Sequence, residues 1–396
     1  MTPLLAENML SKRISKVTPS LTLSITAKAK ALQAQGMNVI SLSAGEPDFD
    51  TPDFIKEAAI EALKKGVTKY TPAEGTLELR KAIAAKLKRD QNLTYAPDQI
   101  VVSAGAKHSI YNLFQVLVGE GDEVLIPSPY WLSYPEMVTL AGGRSVFIEA
   151  DEKNEFKITA QQLEKAIMPK TKIFVLNSPS NPTGAVYRKN ELEALIPVLL
   201  KHPQVWILSD EIYEKLIFNG AGHFSIASLH PEMAKRTLLV NGHSKAYAMT
   251  GWRMGYAACA KEIAQAAGTL QSHSTSNPTS FAQAGAVVAL DQGDAEAKKM
   301  CQVFEKRRDL FIAELKKIPQ LKPFPPQGAF YLFVNIEATG MNSMVFSERL
   351  LEEGQVAVVP GKVFGSDRHI RLSFACSEKD ILEASLRIRQ WLEKKG

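Results

Sequence analysis

Two cations stand eight positions apart at Lys245 and Arg253, in the stretch Leu-Val-Asn-Gly-His-Ser-Lys-Ala-Tyr-Ala-Met-Thr-Gly-Trp-Arg-Met-Gly-Tyr that runs from 239 to 256. The apolar run Thr237 to Val240 reads as a buried strand, and Asn241-Gly242 reads as the turn that ends it. Ser244-Lys245 follows, and Gly251-Trp252-Arg253 leads into a second apolar run. Both cations are therefore expected just beyond strand ends. Held among Ala246, Tyr247 and Met249, the lysine is partly desolvated, which favours its neutral amine. A neutral amine attacks a carbonyl and forms a Schiff base. An arginine beside it clamps a phosphate with two parallel hydrogen bonds. Outside such a setting a Ser-Lys pair is an ordinary surface loop, so the context must come from the rest of the chain.

Several other residues offer it. Gly105-Ala106-Lys107 lies between a strand and a helix, where small residues let backbone N–H groups and the helix start receive a phosphate. The same residues also suit a plain tight turn. Asp210 ends the run Val205-Trp-Ile-Leu-Ser, with Tyr213 three residues on. A carboxylate there either pairs with a protonated pyridine nitrogen or caps the next segment, and Tyr213 is placed to donate to a ring hydroxylate. Asn181-Pro-Thr-Gly is a turn that presents an amide donor. Trp131 either stacks on a flat ring or fills core. Arg371 stands inside the apolar alternating run His369-Ile-Arg-Leu-Ser-Phe, where it needs an anion: an internal carboxylate or that of a substrate. An aldehyde that carries a phosphate on a flat ring is pyridoxal phosphate (PLP). No G-x-G-x-x-G or Walker A sequence is present, which argues against a nucleotide cofactor.

These residues need elements to hold them. From 99 to about 260 short apolar runs alternate with helical stretches at 106–118, 159–167 and 189–201. That pattern predicts a mostly parallel sheet covered on both faces, with ligands bound beyond the carboxyl ends of its strands. The residues singled out above fall at those ends. Upstream, helices are expected over 25–35, 53–65 and 76–89, with a strand at 39–43 running into the loop Gly45 to Pro52. Downstream, 278–291 and a long charged helix over 293–317 lead to strands at 329–335, 356–359 and 369–374 and a last helix from 378, capped by Ser377 and Asp380. At 396 residues two domains are the first expectation: a large one over 49–292 and a smaller α+β one over 293–396, to which part of an N-terminal arm (1–48) is added. The net charge of +5 is spread without a basic block, which argues against nucleic acid or a membrane surface. Three scattered cysteines have no metal-type spacing and fit a reducing, cytoplasmic setting. There is no signal-peptide core and no membrane-length apolar run.

Six ordered motifs carry a resemblance: Ala-Gly-Glu-Pro-Asp-Phe (44–49), Ser-Pro-Tyr-Trp (128–131), Asn-Ser-Pro-x-Asn-Pro-Thr-Gly-Ala (177–185), Ser-Asp-Glu-Ile-Tyr (209–213), Ser-Lys-Ala-Tyr-Ala-Met-Thr-Gly-Trp-Arg (244–253) and Val-Val-Pro-Gly (358–361). From residue 25 onward the chain resembles the PLP-dependent class I aminotransferases of fold type I, and most closely the prokaryotic aspartate aminotransferases of subgroup Iβ. The resemblance implies a large domain with a mostly parallel seven-stranded sheet, a smaller α+β domain, and a homodimer with shared active sites. It implies transfer of the amino group between L-aspartate and 2-oxoglutarate; the alternatives are prephenate, aromatic or alanine specificity. Lys245 would bind PLP and move the proton during the reaction, and Asp210 and Tyr213 would serve the ring nitrogen and oxygen. Gly105, Ala106, Lys107 and Arg253 would receive the phosphate, joined by Tyr70 of the neighbouring subunit. Trp131 and Asn181 would contact the ring, and Arg371 would bind the substrate α-carboxylate, with Asn181, Trp131 and the Gly45 amide closing the pocket. Lys107 would also reach the distal carboxylate of a dicarboxylic substrate. No metal is implied. Two departures stand out. Gly242 replaces a phosphate-binding serine of many relatives, with Ser244 as a substitute, and Thr18 precedes Pro19-Ser20 where prephenate-using members carry a lysine.

Overall fold

The computed structural model describes residues 10, 11 and 13–394; positions 1–9 of the expected N-terminal arm and Lys12 lie outside the described residues. After the helix Leu21–Ala34 and the short strand β1 (Ile40–Ser41), seven strands build the large sheet. They are β2 (Ile100–Ala104), β3 (Glu123–Ser128), β4 (Arg144–Glu149), β5 (Thr171–Asn177), β6 (Trp206–Asp210), β7 (Thr237–Gly242) and β8 (Met254–Ala258), in the order β2-β8-β7-β6-β5-β3-β4. Every pairing is parallel except the two made by β8. Near-continuous Val, Ile and Leu in β2, β3, β5 and β6 are buried because helices cover both faces.

One expectation is corrected in this sheet. Asn241-Gly242 is no turn: β7 runs through both, pairing Asn241 with Tyr256 and Gly242 with Gly255. The reason is close packing of the two strands. A Cβ on Gly242 would come 2.9 Å from the Met254 carbonyl oxygen, so glycine is required by approach rather than by a bend.

β9 (Lys322–Phe324), β10 (Tyr331–Asn335), β12 (Val359–Pro360) and β13 (His369–Ser373) form a four-stranded antiparallel sheet ordered β12-β13-β10-β9. β1 does not join it; it pairs in parallel with β11 (Val356–Ala357). A hydrophobic cluster that includes Phe304, Phe311, Phe330, Phe346, Ile388 and Trp391 packs this sheet against the helices Asp294–Leu315 and Glu378–Glu393. The long helix predicted over 293–317 is thus found almost where the charge pattern put it. The helices Ser133–Ala141, Lys261–Ser272 and Ser343–Gly354 were not anticipated. No helix among the described residues is long and apolar enough to cross a membrane.

Candidate active site

Because β8 runs against its neighbours, its first residue lies beside the carboxyl ends of β2 and β7. Met254 is paired with Ala104, and Gly255 with Gly242. The connection from β7 to β8 carries Lys245, and Arg253 immediately precedes β8, so both cations arrive at one edge of the sheet. Arg253 holds a left-handed backbone (φ 56°) and donates to the carbonyls of Thr250 at 2.9 Å and Ala104 at 3.1 Å. Gly105 packs directly on it: an added Cβ would stand 2.5 Å from an Arg253 nitrogen, and the glycine's own φ is +86°. The helix Ala106–Leu117 starts at the next residue, with its first N–H groups facing the same space. Gly255 supports this turn from below, since a Cβ there would collide with the Gly105–Ala106 backbone.

A cavity of about 400 Å³ opens at this edge. Of the predicted site residues, Gly45, Ala106, Lys107, Trp131, Asn181, Asp210, Tyr213, Lys245, Arg253 and Arg371 line it. Gly105 lies behind Arg253 in its wall. Ser244, suggested as the stand-in for the missing serine at 242, also faces the cavity. Tyr70 does not: it is 90% exposed on the surface of the chain.

Asp210 ends β6 at the cavity floor and is 4% exposed. Burial raises its pKa to about 6, against the opposing pull of the Tyr134 hydroxyl, which donates to Oδ2 at 2.6 Å. Oδ1 accepts from the Ile212 N–H at 3.3 Å. Lys245 is half-buried, and its Nζ donates to the Gly45 carbonyl at 2.5 Å. Desolvation lowers its pKa to about 8, with Glu46 opposing and the cations Arg253, Arg371 and Lys107 adding to the drop. A usable fraction of neutral amine at neutral pH follows. Lys107 begins its helix at an exposed position and turns Nζ to 4.9 Å above the Trp131 ring; desolvation, then Arg253, lowers its pKa.

At the other end, Arg371 is 2% exposed. It donates to the Asn181 Oδ1 and to the Ser43 carbonyl, each at 3.0 Å, and leaves Nε without an acceptor. Asn181 is itself fixed by Asn177, whose Oδ1 accepts the Asn181 N–H at 2.9 Å and whose Nδ2 donates to the Asp210 carbonyl at 3.0 Å. No acidic side chain pairs with Arg371 among the described residues. A buried cation met only by neutral acceptors is a site for an anion from outside the chain.

Among the lining residues that the sequence reading gave no role are Tyr134, Tyr331 and Glu46, the last accepting from the Thr250 hydroxyl at 2.8 Å. Glu46 stood in a quoted motif without a role. A tyrosine in an apolar strand or helix reads as core, and only register shows where its hydroxyl goes.

The family model for aminotransferase class I and II matches residues 37–388. An aspartate aminotransferase of Bacillus subtilis is 51% identical over 390 residues, covering 97% of this chain and 99% of the relative. That of Geobacillus stearothermophilus is 51% identical over 392 residues, 98% of this chain and all of the relative. The solved aspartate aminotransferase of Rhizobium meliloti superposes with a TM-score of 0.94 at 43% identity, over 97% of this chain and 98% of that one. With sequence and fold in accord, the chain belongs to the class I and II aminotransferases, whose cofactor is pyridoxal 5'-phosphate.

Proposed function

We propose that this protein is an L-aspartate:2-oxoglutarate aminotransferase, producing oxaloacetate and L-glutamate in two half-reactions that share one cofactor. The observation that carries the reading is the pair of cations at opposite ends of one cavity. Arg371 is buried without an anion, and Lys107 is turned inward over Trp131. Two carboxylates on one substrate would satisfy both. The aspartate aminotransferase names of the full-length relatives support the same substrate.

The donor set fits PLP. The glycine-lined helix start and Arg253 suit a phosphate. Trp131 offers a flat face, and the dry Asp210 carboxylate is a partner for a pyridine N–H. We assign covalent attachment to Lys245, ring-nitrogen pairing to Asp210, and donation to the ring oxygen to Tyr213 and Asn181. Bound PLP supplies an electron-poor ring that accepts the electron pair left when a proton leaves the substrate Cα. The chain supplies the rest. Lys245 takes that proton and returns it. Arg371 holds the α-carboxylate, with the Gly45 amide beside it, so that the Cα hydrogen faces Lys245. Lys107 holds the distal carboxylate. Tyr70 would complete the phosphate site from the partner in a homodimer, a reading supported by its 90% exposure on the single chain.

We further read the chain as an N-terminal segment (1–48), a large domain (49–292) and a small domain (293–396). Two clusters on the large sheet that draw only on residues within 101–267 support that division, while Ile40, Leu42 and Ile212 to Phe218 tie the other two segments into the core of the small sheet. Three free cysteines suit the cytoplasmic location this metabolic role implies. Prephenate is the weaker alternative. The position occupied by lysine in prephenate users is Thr18, whose N–H donates to Glu136 at 3.1 Å, so no cation is offered there.

The test is the half-reaction. Aspartate should convert the bound cofactor's absorption band to that of its aminated form, and 2-oxoglutarate should restore it. A panel in which alanine or an aromatic amino acid outpaces aspartate would overturn the assignment.

A further inference from the structure

Tyr331 is 1% exposed, lines the cavity, and touches three of its working parts. The first contact follows from strand register. In the β10–β13 pair Tyr331 faces Ser373 and Phe333 faces Arg371, which makes Tyr331 the diagonal neighbour of Arg371 on the same face of the sheet. The Arg371 guanidinium accordingly lies over the Tyr331 ring, 4.3 Å from its centroid. The second contact is the hydroxyl, 2.9 Å from that of Tyr213. The third is the Gly45 loop: a Cβ on Gly45 would come 3.2 Å from the Tyr331 oxygen. One side chain thus meets the carboxylate-binding arginine with its face and the ring-oxygen donor with its tip.

We infer that Tyr331 is a positioning residue with two separable jobs: its ring holds Arg371 in place for the substrate carboxylate, and its hydroxyl directs and strengthens the Tyr213 hydroxyl as a donor. The inference rests on the assignment of Arg371 and Tyr213 made above. The physical grounds are independent of it. A buried cation gains from an aromatic face below it, because that face costs no desolvation of a counter-charge. A hydroxyl that accepts one hydrogen bond donates the next one more strongly. Tyr213 has Tyr331, Arg371, Asp210 and Lys245 as polar neighbours, and among the described residues Tyr331 is the one that reaches its oxygen.

Two substitutions in the cofactor-loaded protein separate the jobs. Tyr331→Phe keeps the ring and removes the hydroxyl; Tyr331→Leu removes both. Two readouts other than turnover are used: the dissociation constant of succinate, a non-reacting dicarboxylate, and the pH midpoint of the bound cofactor's absorption change. Tyr331→Phe should leave succinate binding within about two-fold and move the midpoint upward by roughly 0.5 pH unit, since a weaker donor at the ring oxygen favours the protonated form. Tyr331→Leu should show that shift and also weaken succinate by about ten-fold. In a Tyr213→Phe background, Tyr331→Phe should shift the midpoint no further. An unchanged midpoint in Tyr331→Phe overturns the hydroxyl's role, as does an equal shift on the Tyr213→Phe background. Equal loss of succinate binding in both variants overturns the division of labour. Failure of the parent protein to bind succinate at all would strike the substrate assignment, not this one.

Discussion

Asp210 carries its charge in a place that resists it. Its pKa stands near 6 against 3.8 in the open, so between about pH 4 and 6 the folded, cofactor-free protein binds a proton that the unfolded chain has released. Stability from this group is present below pH 4 and lost as pH rises through 6. Asp210→Asn should therefore stabilise the cofactor-free protein at pH 7.5, by about 1–3 kcal/mol in denaturant titrations, while it weakens PLP retention on dialysis. A variant that melts earlier without cofactor would contradict the burial argument. Lys107 gives a second test. Lys107→Ala should cost roughly 2–5 kcal/mol in kcat/KM for aspartate and little for alanine; equal losses would reduce it to a phosphate neighbour. Lys107, Asp210, Lys245, Arg253 and Arg371 could all be picked out in the sequence because each is a charge set at a strand end or within an apolar run. Tyr134 and Tyr331 could not. Their rings look like core, and their value lies in hydroxyl contacts with Asp210 and Tyr213, 76 and 118 positions away.

At the scale of elements, the site depends on one strand running the wrong way. β8 returns the chain antiparallel between β2 and β7 and so sets Arg253 against Gly105. Gly255 is the contact point. Gly255→Ala would push its methyl group into the Gly105–Ala106 backbone, which cannot rotate aside as a side chain can. We expect a loss of roughly 1–3 kcal/mol in stability, together with weaker cofactor binding. An alanine variant with parental melting and PLP affinity would show that the turn yields. The apolar runs announced all seven strands of this sheet, but not the direction of β8, since periodicity carries no sense of orientation. The Asn-Gly pair misled for a related reason: it marks turns when glycine is needed for conformation, and here it is needed for closeness. The helix Ser133–Ala141 was missed because it is short and carries Pro135 in its first turn. Lys261–Ser272 buries mainly small residues, Ala264, Ala267 and Gly268 among them, so no bulky stripe announces it.

For the molecule as a whole, the exposed Tyr70 makes the shared-site dimer a question of complementation. Low-activity Lys245→Ala and Tyr70→Ala chains, unfolded and refolded together, should regain activity, because a hybrid holds one site free of both defects. A Lys245→Ala and Arg253→Ala mixture should not, since both defects then belong to each chain's own site. Equal recovery in the two mixtures would place Tyr70 outside the site. The distribution of the site along the chain has one more consequence. β1 rests on β11, the Ser373 N–H donates to the Leu42 carbonyl at 2.8 Å, and Arg371 donates to Ser43 across 328 positions. The strands of the large sheet all lie between residues 100 and 258. On the ribosome, then, the Arg253 end of the cavity can assemble while residues 40–43 still await their partners. A nascent chain stalled between 258 and 356 should capture cofactor before it can hold a carboxylate, so that substrate recognition is the last property the growing polypeptide acquires.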